Sequence, residues 1–324
     1  MRAAFYEKNG SARDVLQRGD VATPQAGPGE VRVKLAFSGV NPSDVKARGG
    51  SRPITVPSII PHSDGGGEID QVGGGVPRAR IGERVWTWNG QWKRPFGTCA
   101  EYIVLPQALA VPLPAHVDFA SGACLGIPAM TASHAVEVAG AARGTTLLIS
   151  GGAGAVGHYA IQFAKARGAT VLTTISSRAK ADVAKNAGAD HAIDYKNENV
   201  GERVKALTGG RGVDAIVDMD FAVNAKLVPD VLAPRGRVVI YGNSKPTAEV
   251  SSMFCLTNQI TLQYIFVYEL TDAERARTIG EITRLMEEKR LIHNVAQTFA
   301  LDDVVAAHEA VEQASVLGNV VVRF

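Results

Sequence analysis

The sequence predicts an α/β protein of two domains: a doubly wound parallel sheet flanked by helices, preceded by a β-rich module to which the C-terminal tail returns. Three observations carry the prediction. The chain has 324 residues, room for about two domains of ~150 residues each. Its first third is rich in Gly and Pro with short apolar bursts, whereas strands and helices alternate from Gly144 onward, the rhythm of a parallel sheet covered on both faces. A glycine-rich turn joins the first strand of the alternating region to its first helix.

In the N-terminal module, Val31, Val33, Leu35 and Phe37 alternate with Arg32, Lys34, Ala36 and Ser38, the period-two pattern of a half-buried strand. Turn chemistry follows at Asn41-Pro42, Gly49-Gly50, Gly65-Gly66-Gly67 and Gly73-Gly74-Gly75. Beyond Gly144 the expected order is strand 146–149, the glycine loop, a helix with Val156, Ala160, Phe163 and Ala164 on its apolar face, strand 169–175 and helix 178–187. Gly168 suits the end of the first helix, where the backbone often needs positive φ. Strand 213–218, helix 222–232, a turn at Pro234-Arg235-Gly236, strand 237–241 and strand 260–268 come next. The tail reads as helix 272–289, an extended stretch, helix 302–313 and strand 319–324. The implied division is 1–122 with 269–324 for the β-rich domain and 123–268 for the doubly wound one.

Composition narrows the function. A formal charge of only +2 offers no electrostatic case for nucleic acid or an anionic membrane. No run approaches the ~18 consecutive apolar residues of a membrane helix, and the first seven residues lack an apolar signal core. Cys99, Cys124 and Cys255 lie too far apart to suggest a disulfide framework or a zinc knuckle. The expectation is a cytoplasmic protein that binds neither nucleic acid nor membrane.

The chemistry begins at Ser150-Gly151-Gly152-Ala153-Gly154-Ala155-Val156-Gly157, where Gly151, Gly154 and Gly157 fall at three-residue spacing. A pyrophosphate must approach such a backbone closely, and the following helix offers free N–H groups and its positive dipole end. A glycine turn alone is often just a tight connection. Here the strand before it, the amphipathic helix after it and a second strand at the right distance make it a dinucleotide (Rossmann) site. An acid at the end of the second strand would bind the ribose hydroxyls of NAD. This chain has Ser176-Ser177-Arg178-Ala179-Lys180 there, and its first acid is Asp182. Hydroxyls and cations cradle a 2′-phosphate that a carboxylate would repel, so NADPH is the expected cofactor.

Segments along nearly the whole chain carry a resemblance: Ser38-Gly39-Val40-Asn41-Pro42-Ser43-Asp44, Ile81-Gly82-Glu83-Arg84-Val85, Pro128-Ala129-Met130-Thr131-Ala132 and the glycine loop. Ala187-Gly188-Ala189-Asp190, Ile193-Asp194-Tyr195, Tyr241-Gly242-Asn243-Ser244 and Gly318-Asn319-Val320-Val321 continue it. With these segments the chain resembles the zinc-free quinone oxidoreductases, the zeta-crystallin-like group of the medium-chain dehydrogenase/reductase superfamily. The resemblance implies a GroES-like catalytic domain for the β-rich module, and a homodimer. It places Thr131 near the nicotinamide and Gly154, Ala155 and Val156 on the pyrophosphate. Ser176, Ser177, Arg178 and Tyr195 would surround the adenosine phosphate. Tyr241, Asn243, Phe266 and Val267 would follow the cofactor toward its nicotinamide end, with Asn319 closing from the tail. Bland readings stand beside these: Tyr195 as a strand end, Phe266 and Val267 as core strand residues.

In zinc-dependent relatives a cysteine stands at Asn41 and a His-Glu pair at Ser63-Asp64; neither Asn nor Ser is a usual zinc ligand. His62, one position off, reads as structural, and no metal is expected. Without zinc, the acceptor must take hydride with little help, as a quinone or an activated C=C bond does. Asn41 would donate to the developing oxyanion or to the nicotinamide ribose, or serve only as a turn former. Several family members carry tyrosine where this chain has Lys46, which would act as a cationic stabiliser or proton donor, or sit on the surface. All three tryptophans fall within 86–92, as a flat wall for a planar acceptor or as packing beneath a loop. The resulting reading is NADPH-dependent reduction of quinones by hydride or electron transfer. The alternatives are a reductase of alkenals, enones or enoyl thioesters and, from another class, a crystallin-like or RNA-binding protein, against which the near-neutral charge argues. An exposed edge strand near 260–268 would form the dimer contact.

Overall fold

The alternation over 31–37 becomes the strand Glu30–Val40, with Val31, Val33 and Leu35 buried. The computed structural model describes residues 1–314 and 316–324. Its contacts divide the chain into one unit of Met1–Pro128, Met286–Glu288 and His293–Phe324, and another of Ala129–Leu285 and Lys289–Ile292.

In the first unit, Glu30–Val40 is central to a seven-stranded sheet. On one side it pairs antiparallel with Asn319–Arg323, which pairs parallel with Val295–Ala300. On the other side come Asp64–Val72, Arg84–Thr87 and Ala110–Pro112, while Tyr102–Pro106 pairs with its first residues. The tail's extended stretch thus contains a sheet strand.

The second unit holds six strands, every pair parallel, in the order His191–Asp194, Thr170–Ile175, Thr146–Ile149, Val213–Asp218, Leu232–Ile240, Thr261–Tyr264. The chain winds outward from Thr146–Ile149 in both directions, which sets a topological switch point between that strand and Val213–Asp218. Leu147, Ile149, Val171, Val217, Val238 and Val239 are all buried, as a sheet covered on both faces requires. Helix Ala155–Ala166 buries Tyr159, Ala160, Ile161, Phe163 and Ala164; a side chain such as Phe163 contributes about 1.5–3 kcal/mol by its burial. The helix stops at Gly168, whose φ of +86° is open to glycine without a Cβ penalty.

Several expectations change. Helix 222–232 is instead three short pieces, Phe221–Asn224, Ala225–Leu227 and Val228–Val231. Pro229 has no N–H to donate and its ring collides with the carbonyl four residues back, so no continuous helix runs through it. Strand 260–268 shortens to Thr261–Tyr264, because its neighbour ends at Ile240, the partner of Tyr264. It lies at the sheet edge. The turn at 234–236 is absorbed into Leu232–Ile240 as an irregularity: Val213 faces Leu232 but Ala215 faces Arg237, with Arg235 at φ +64°. Strand His191–Asp194 and helices Val200–Leu207 and Ser252–Asn258 are additional. Helix Asp272–Glu287 belongs to the second unit as far as Leu285, where Glu281 pairs with Arg167 and Ser133, and Arg277 with Glu137. The chain therefore returns to the first unit later than residue 269. Among the described residues, no helix is long and apolar enough to cross a membrane.

Candidate active site

Strand Thr146–Ile149 delivers the chain to the glycine turn beside the switch point. A Cβ on residue 157 would fall 2.3 Å from the Gly151 carbonyl oxygen, so only glycine lets the helix close on the turn. Gly154 N-caps helix Ala155–Ala166 without a side chain to satisfy its first donors. The N–H groups of Ala155, Val156 and Gly157 therefore open the helix with no intrahelical acceptor, at the positive end of its dipole. Such an end is an anion cradle, and Gly154, Ala155 and Val156 are half-exposed there. The loop is tied to the next strand: Gly151 N–H donates to Thr174 Oγ1 at 3.2 Å and Gly152 N–H to the Thr174 carbonyl at 3.3 Å.

Those bonds bring the turn to the end of Thr170–Ile175, where Ser176-Ser177-Arg178 follow. Lys180 Nζ donates to Ser176 Oγ at 3.0 Å, and Ser177 Oγ caps helix Arg178–Asn186 by accepting from Lys180 N–H at 3.3 Å. Tyr195 donates its N–H to the Ile175 carbonyl at 3.1 Å, which places this residue, 54% exposed, at the same strand end. Tyr241 and Asn243 follow strand Leu232–Ile240; Tyr241 N–H donates to the Asp218 carbonyl at 3.1 Å, and Asn243 Oδ1 accepts from Ala222 N–H at 2.9 Å. Burial, and then the neighbouring Asp218, push the Tyr241 hydroxyl above its ordinary range. Phe266 is 51% exposed and tilts on Tyr268 at 5.1 Å between centroids, whereas Val267 is buried. Thr131 is buried on helix Met130–Val138. Gly154, Ala155, Val156, Ser176, Ser177, Arg178 and Tyr195, together with residues 241, 243, 266 and 267, thus all follow C-terminal ends of parallel strands.

The first unit holds a polar corner of its own. Asn41 follows strand Glu30–Val40 and N-caps helix Pro42–Lys46. Its backbone N–H donates to Asp44 Oδ2 at 2.8 Å and its Nδ2 to Asp64 Oδ2 at 2.7 Å. Asp64 is fully buried, and its Oδ1 and Oδ2 share the Ile127 N–H at 2.9 and 3.0 Å. The Asn41 side chain is thus held between the Asp64 carboxyl and the capping box it forms with Asp44. Burial pushes the Asp64 carboxyl well above the carboxylate range, against the pull of the Ile127 and Asn41 donors. Burial also pushes Asp44 up to about 7, opposed by Asn41 and the Arg52 charge. Lys46 is exposed on the same helix. Asn319 is buried, its Nδ2 committed to the Asn294 carbonyl at 3.1 Å.

Beneath this corner lies a network that sequence reasoning missed. The Thr98 hydroxyl donates to the Asp64 carbonyl at 2.6 Å. Its proton is then used, so Ser38 Oγ must donate to Thr98 Oγ1 at 2.8 Å and accept from His62 Nδ1 at 2.8 Å. His62 Nε2 in turn accepts from His308 Nε2 at 2.9 Å. Four links run one way, from helix Val304–Glu312 to Asp64. Burial holds His62 down to about 3 and His308 well below its usual value, so both are neutral. No spacing announces the pair, whose members are 246 residues apart. Of the tryptophans, Trp86 and Trp88 are buried packing; Trp92 is half-buried, with the Arg52 guanidinium over its ring at 4.5 Å.

A parallel sheet with a glycine turn at its switch point, on one chain with this mixed β module, defines a medium-chain dehydrogenase/reductase. Residues 27–115 match the alcohol dehydrogenase GroES-like domain, and residues 155–284 the zinc-binding dehydrogenase family. The quinone oxidoreductase of Pseudomonas aeruginosa is 31% identical over 314 residues, with 95% of each chain covered. The 2-haloacrylate reductase of a Burkholderia species is 29% identical over 337 residues, covering 99% of this chain and 98% of that one. A mycobacterial protein solved in complex with NADPH superposes with a TM-score of 0.89 at 29% identity, both chains covered in full. The chain belongs to the quinone oxidoreductase family of the medium-chain dehydrogenases/reductases.

Proposed function

We propose that the protein is an NADPH-dependent reductase of quinones that works without zinc. The observation that carries this reading is the open N-terminus of helix Ala155–Ala166, with hydroxyls and cations rather than a carboxylate at the end of the next strand. The free N–H groups of Ala155 and Val156, with the bare backbone of Gly154 beside them, hold the pyrophosphate, and Ser176, Ser177 and Arg178 take the 2′-phosphate with Tyr195 beside it. Thr131, Tyr241, Asn243, Phe266 and Val267 follow toward the nicotinamide. Bound NADPH supplies the hydride. Quinone, NADPH and one proton yield hydroquinone and NADP⁺.

Asn41, held by Asp64 and by its capping box with Asp44, presents its amide to the acceptor oxygen or to the nicotinamide ribose. Lys46, on the same helix, supplies a cation to the charge that develops on the acceptor. The donors at the positions zinc would use are the Asn41 amide, the Ser63 hydroxyl and an Asp64 carboxylate already bonded to two N–H groups. That set does not suit a catalytic zinc, which takes Cys, His or free carboxylate. A second reading, reduction of an activated C=C bond, draws support from the 2-haloacrylate reductase of Burkholderia, similar over 99% of this chain.

The assembly proposed is a homodimer. Thr261–Tyr264 is an edge strand, and Tyr264, Met253 and Leu256 are 60, 67 and 73% exposed, an unpaired apolar edge of the kind that pairs with a second copy. A solution mass equal to one chain at micromolar concentration would rule it out. The cytoplasm is the proposed location, where Cys99, Cys124 and Cys255 stay free thiols.

The test is to follow absorbance at 340 nm with NADPH or NADH and 1,4-benzoquinone, with and without a chelator. Chelator-insensitive oxidation of NADPH in preference to NADH is expected. Turnover of an enone but not of the quinone would favour the second reading. Failure to bind either nucleotide would remove the reading of residues 151–157.

A further inference from the structure

Strand Val213–Asp218 borders the switch point, and the residue that follows it is a methionine. The backbone around Met219 holds it closely. Its N–H donates to Ser150 Oγ at 2.9 Å, and that hydroxyl lies 3.3 Å from the Val217 carbonyl oxygen. Two glycines make the room that the residue occupies. A Cβ on residue 242 would overlap the Met219 carbonyl oxygen, and a Cβ on residue 151 would overlap its Sδ. Gly151 also has a φ of +68°, so close approach and backbone angle both call for glycine there. The thioether therefore lies against the first glycine of the 151–157 turn.

This sulfur is open to solvent. Met219 is 47% exposed, whereas Met130 and Met286 are buried. The other strongly exposed methionine, Met253, lies on helix Ser252–Asn258. An exposed thioether reacts with peroxide: the sulfur lone pair attacks one peroxide oxygen, an S–O bond forms as the O–O bond breaks, and the second oxygen leaves as water. Sulfur is oxidised by two electrons and the peroxide is reduced by them. An apolar side chain thereby becomes a polar one, whose new oxygen is a hydrogen-bond acceptor with partial negative charge. Set beside Gly151, that oxygen opposes the negative charge of a pyrophosphate laid on the turn.

We propose that Met219 is a reversible oxidation site through which hydrogen peroxide controls nucleotide binding. This rests on the reading that NADPH lies on the 151–157 turn, and it goes beyond that reading. In the thioether state the sulfur packs on Gly151 and leaves the backbone donors to the cofactor. In the sulfoxide state the protein holds NADPH weakly. A methionine sulfoxide reductase reverses the change: two thiols supply the electrons, become a disulfide, and the oxygen leaves as water. Peroxide arises when a hydroquinone passes two electrons and two protons to dioxygen. The site thus slows the enzyme wherever its product is reoxidised as fast as it forms.

Two measurements on the full-length protein test it. In the first, protein treated with hydrogen peroxide is digested with trypsin and weighed by mass spectrometry. The peptide 212–226, in which Met219 is the only methionine, should gain one oxygen, and NADP⁺ present during the treatment should slow that gain. In the second, NADPH affinity is read by fluorescence titration before and after the same treatment. The dissociation constant of wild type should rise about tenfold and should return after incubation with a methionine sulfoxide reductase. Met219→Leu should give one value before and after peroxide, whereas Met253→Leu should respond as wild type does. That contrast separates this sulfur from the other exposed thioether and from the three cysteines. NADPH affinity that survives full oxidation at 219, or an equal loss in Met219→Leu, would overturn the proposal and leave the nucleotide reading standing. A protein that binds NADPH neither before nor after treatment would overturn both.

Discussion

The turn at 151–157 and the corner at 38–64 are built from opposite materials. In the turn the donors are backbone N–H groups, and glycine keeps side chains out of the way: the cradle exists because nothing stands beyond the main chain of Gly154 and Gly157. In the corner the donors and acceptors are mostly side chains, those of Asn41, Asp64, Ser38, Thr98 and His62, all buried, with Thr98 ending on the Asp64 main-chain carbonyl. The first kind of site fails when an atom is added. The second fails when an atom keeps its place but changes from acceptor to donor.

The largest effect should come from adding that atom. Gly157→Ala sets a methyl 2.3 Å from the Gly151 carbonyl oxygen, so the loop must open; the NADPH dissociation constant by fluorescence titration should rise about a hundredfold. Unchanged affinity would mean the nucleotide does not use this turn. Next is Asp64→Asn, which keeps the shape but turns one oxygen into an NH₂ facing Ile127 N–H or Asn41 Nδ2. About 1–3 kcal/mol of stability should be lost in urea unfolding, and quinone kcat should fall about tenfold while NADPH affinity holds. A kcat equal to wild type would show that the orientation of Asn41 is not used in turnover.

A third comparison uses pH. His62 is held down to about 3 from 6.5, and His308 is lowered as well. Below pH 6.5 the unfolded chain takes up protons that these folded imidazoles refuse, so their contribution to stability is lost as pH falls toward 3. Asp44 acts oppositely: raised from 3.8 to about 7, it holds a proton when folded and adds stability as pH falls through that window. A variant separates the two. The unfolding free energy of His308→Gln should decline less steeply between pH 6 and 4 than that of wild type, by about 1 kcal/mol per pH unit. Parallel pH curves would contradict the burial of a neutral pair. The smallest effect is expected at the exposed Arg178: Arg178→Ala should raise the KM for NADPH about fivefold and leave that for NADH alone, and equal changes for both would place the 2′-phosphate elsewhere.

The same contrast explains what could be read from the sequence. A backbone-built site leaves a local signature, since glycine spacing, a preceding strand and a following helix all fall within about thirty residues. The turn, its helix, Gly168 and the strand that follows were all legible for that reason. Elements set by partners were not. Nothing in 260–268 says that its neighbour stops at Ile240 and so limits pairing to Thr261–Tyr264. Short segments such as His191–Asp194 are too brief for a period to show. In the corner, Asn41 and Lys46 were singled out through the family resemblance, but Asp64 entered only as a missing ligand, not as the group that orients Asn41. The Arg52–Trp92 approach and the His62–His308 pair join residues 40 and 246 apart in the chain, and only folding brings them together.

The one-way run from His308 through His62, Ser38 and Thr98 has a consequence for how this family can change. Each group's direction is dictated by its neighbour, so exchanging one member alone sets two buried donors, or two bare lone pairs, against each other. Single exchanges at positions 38, 62, 98 or 308 are therefore expected to be costly. Across related chains they should be retained together or replaced together, and a lineage that loses the histidine at 308 should also carry a different partner at 62.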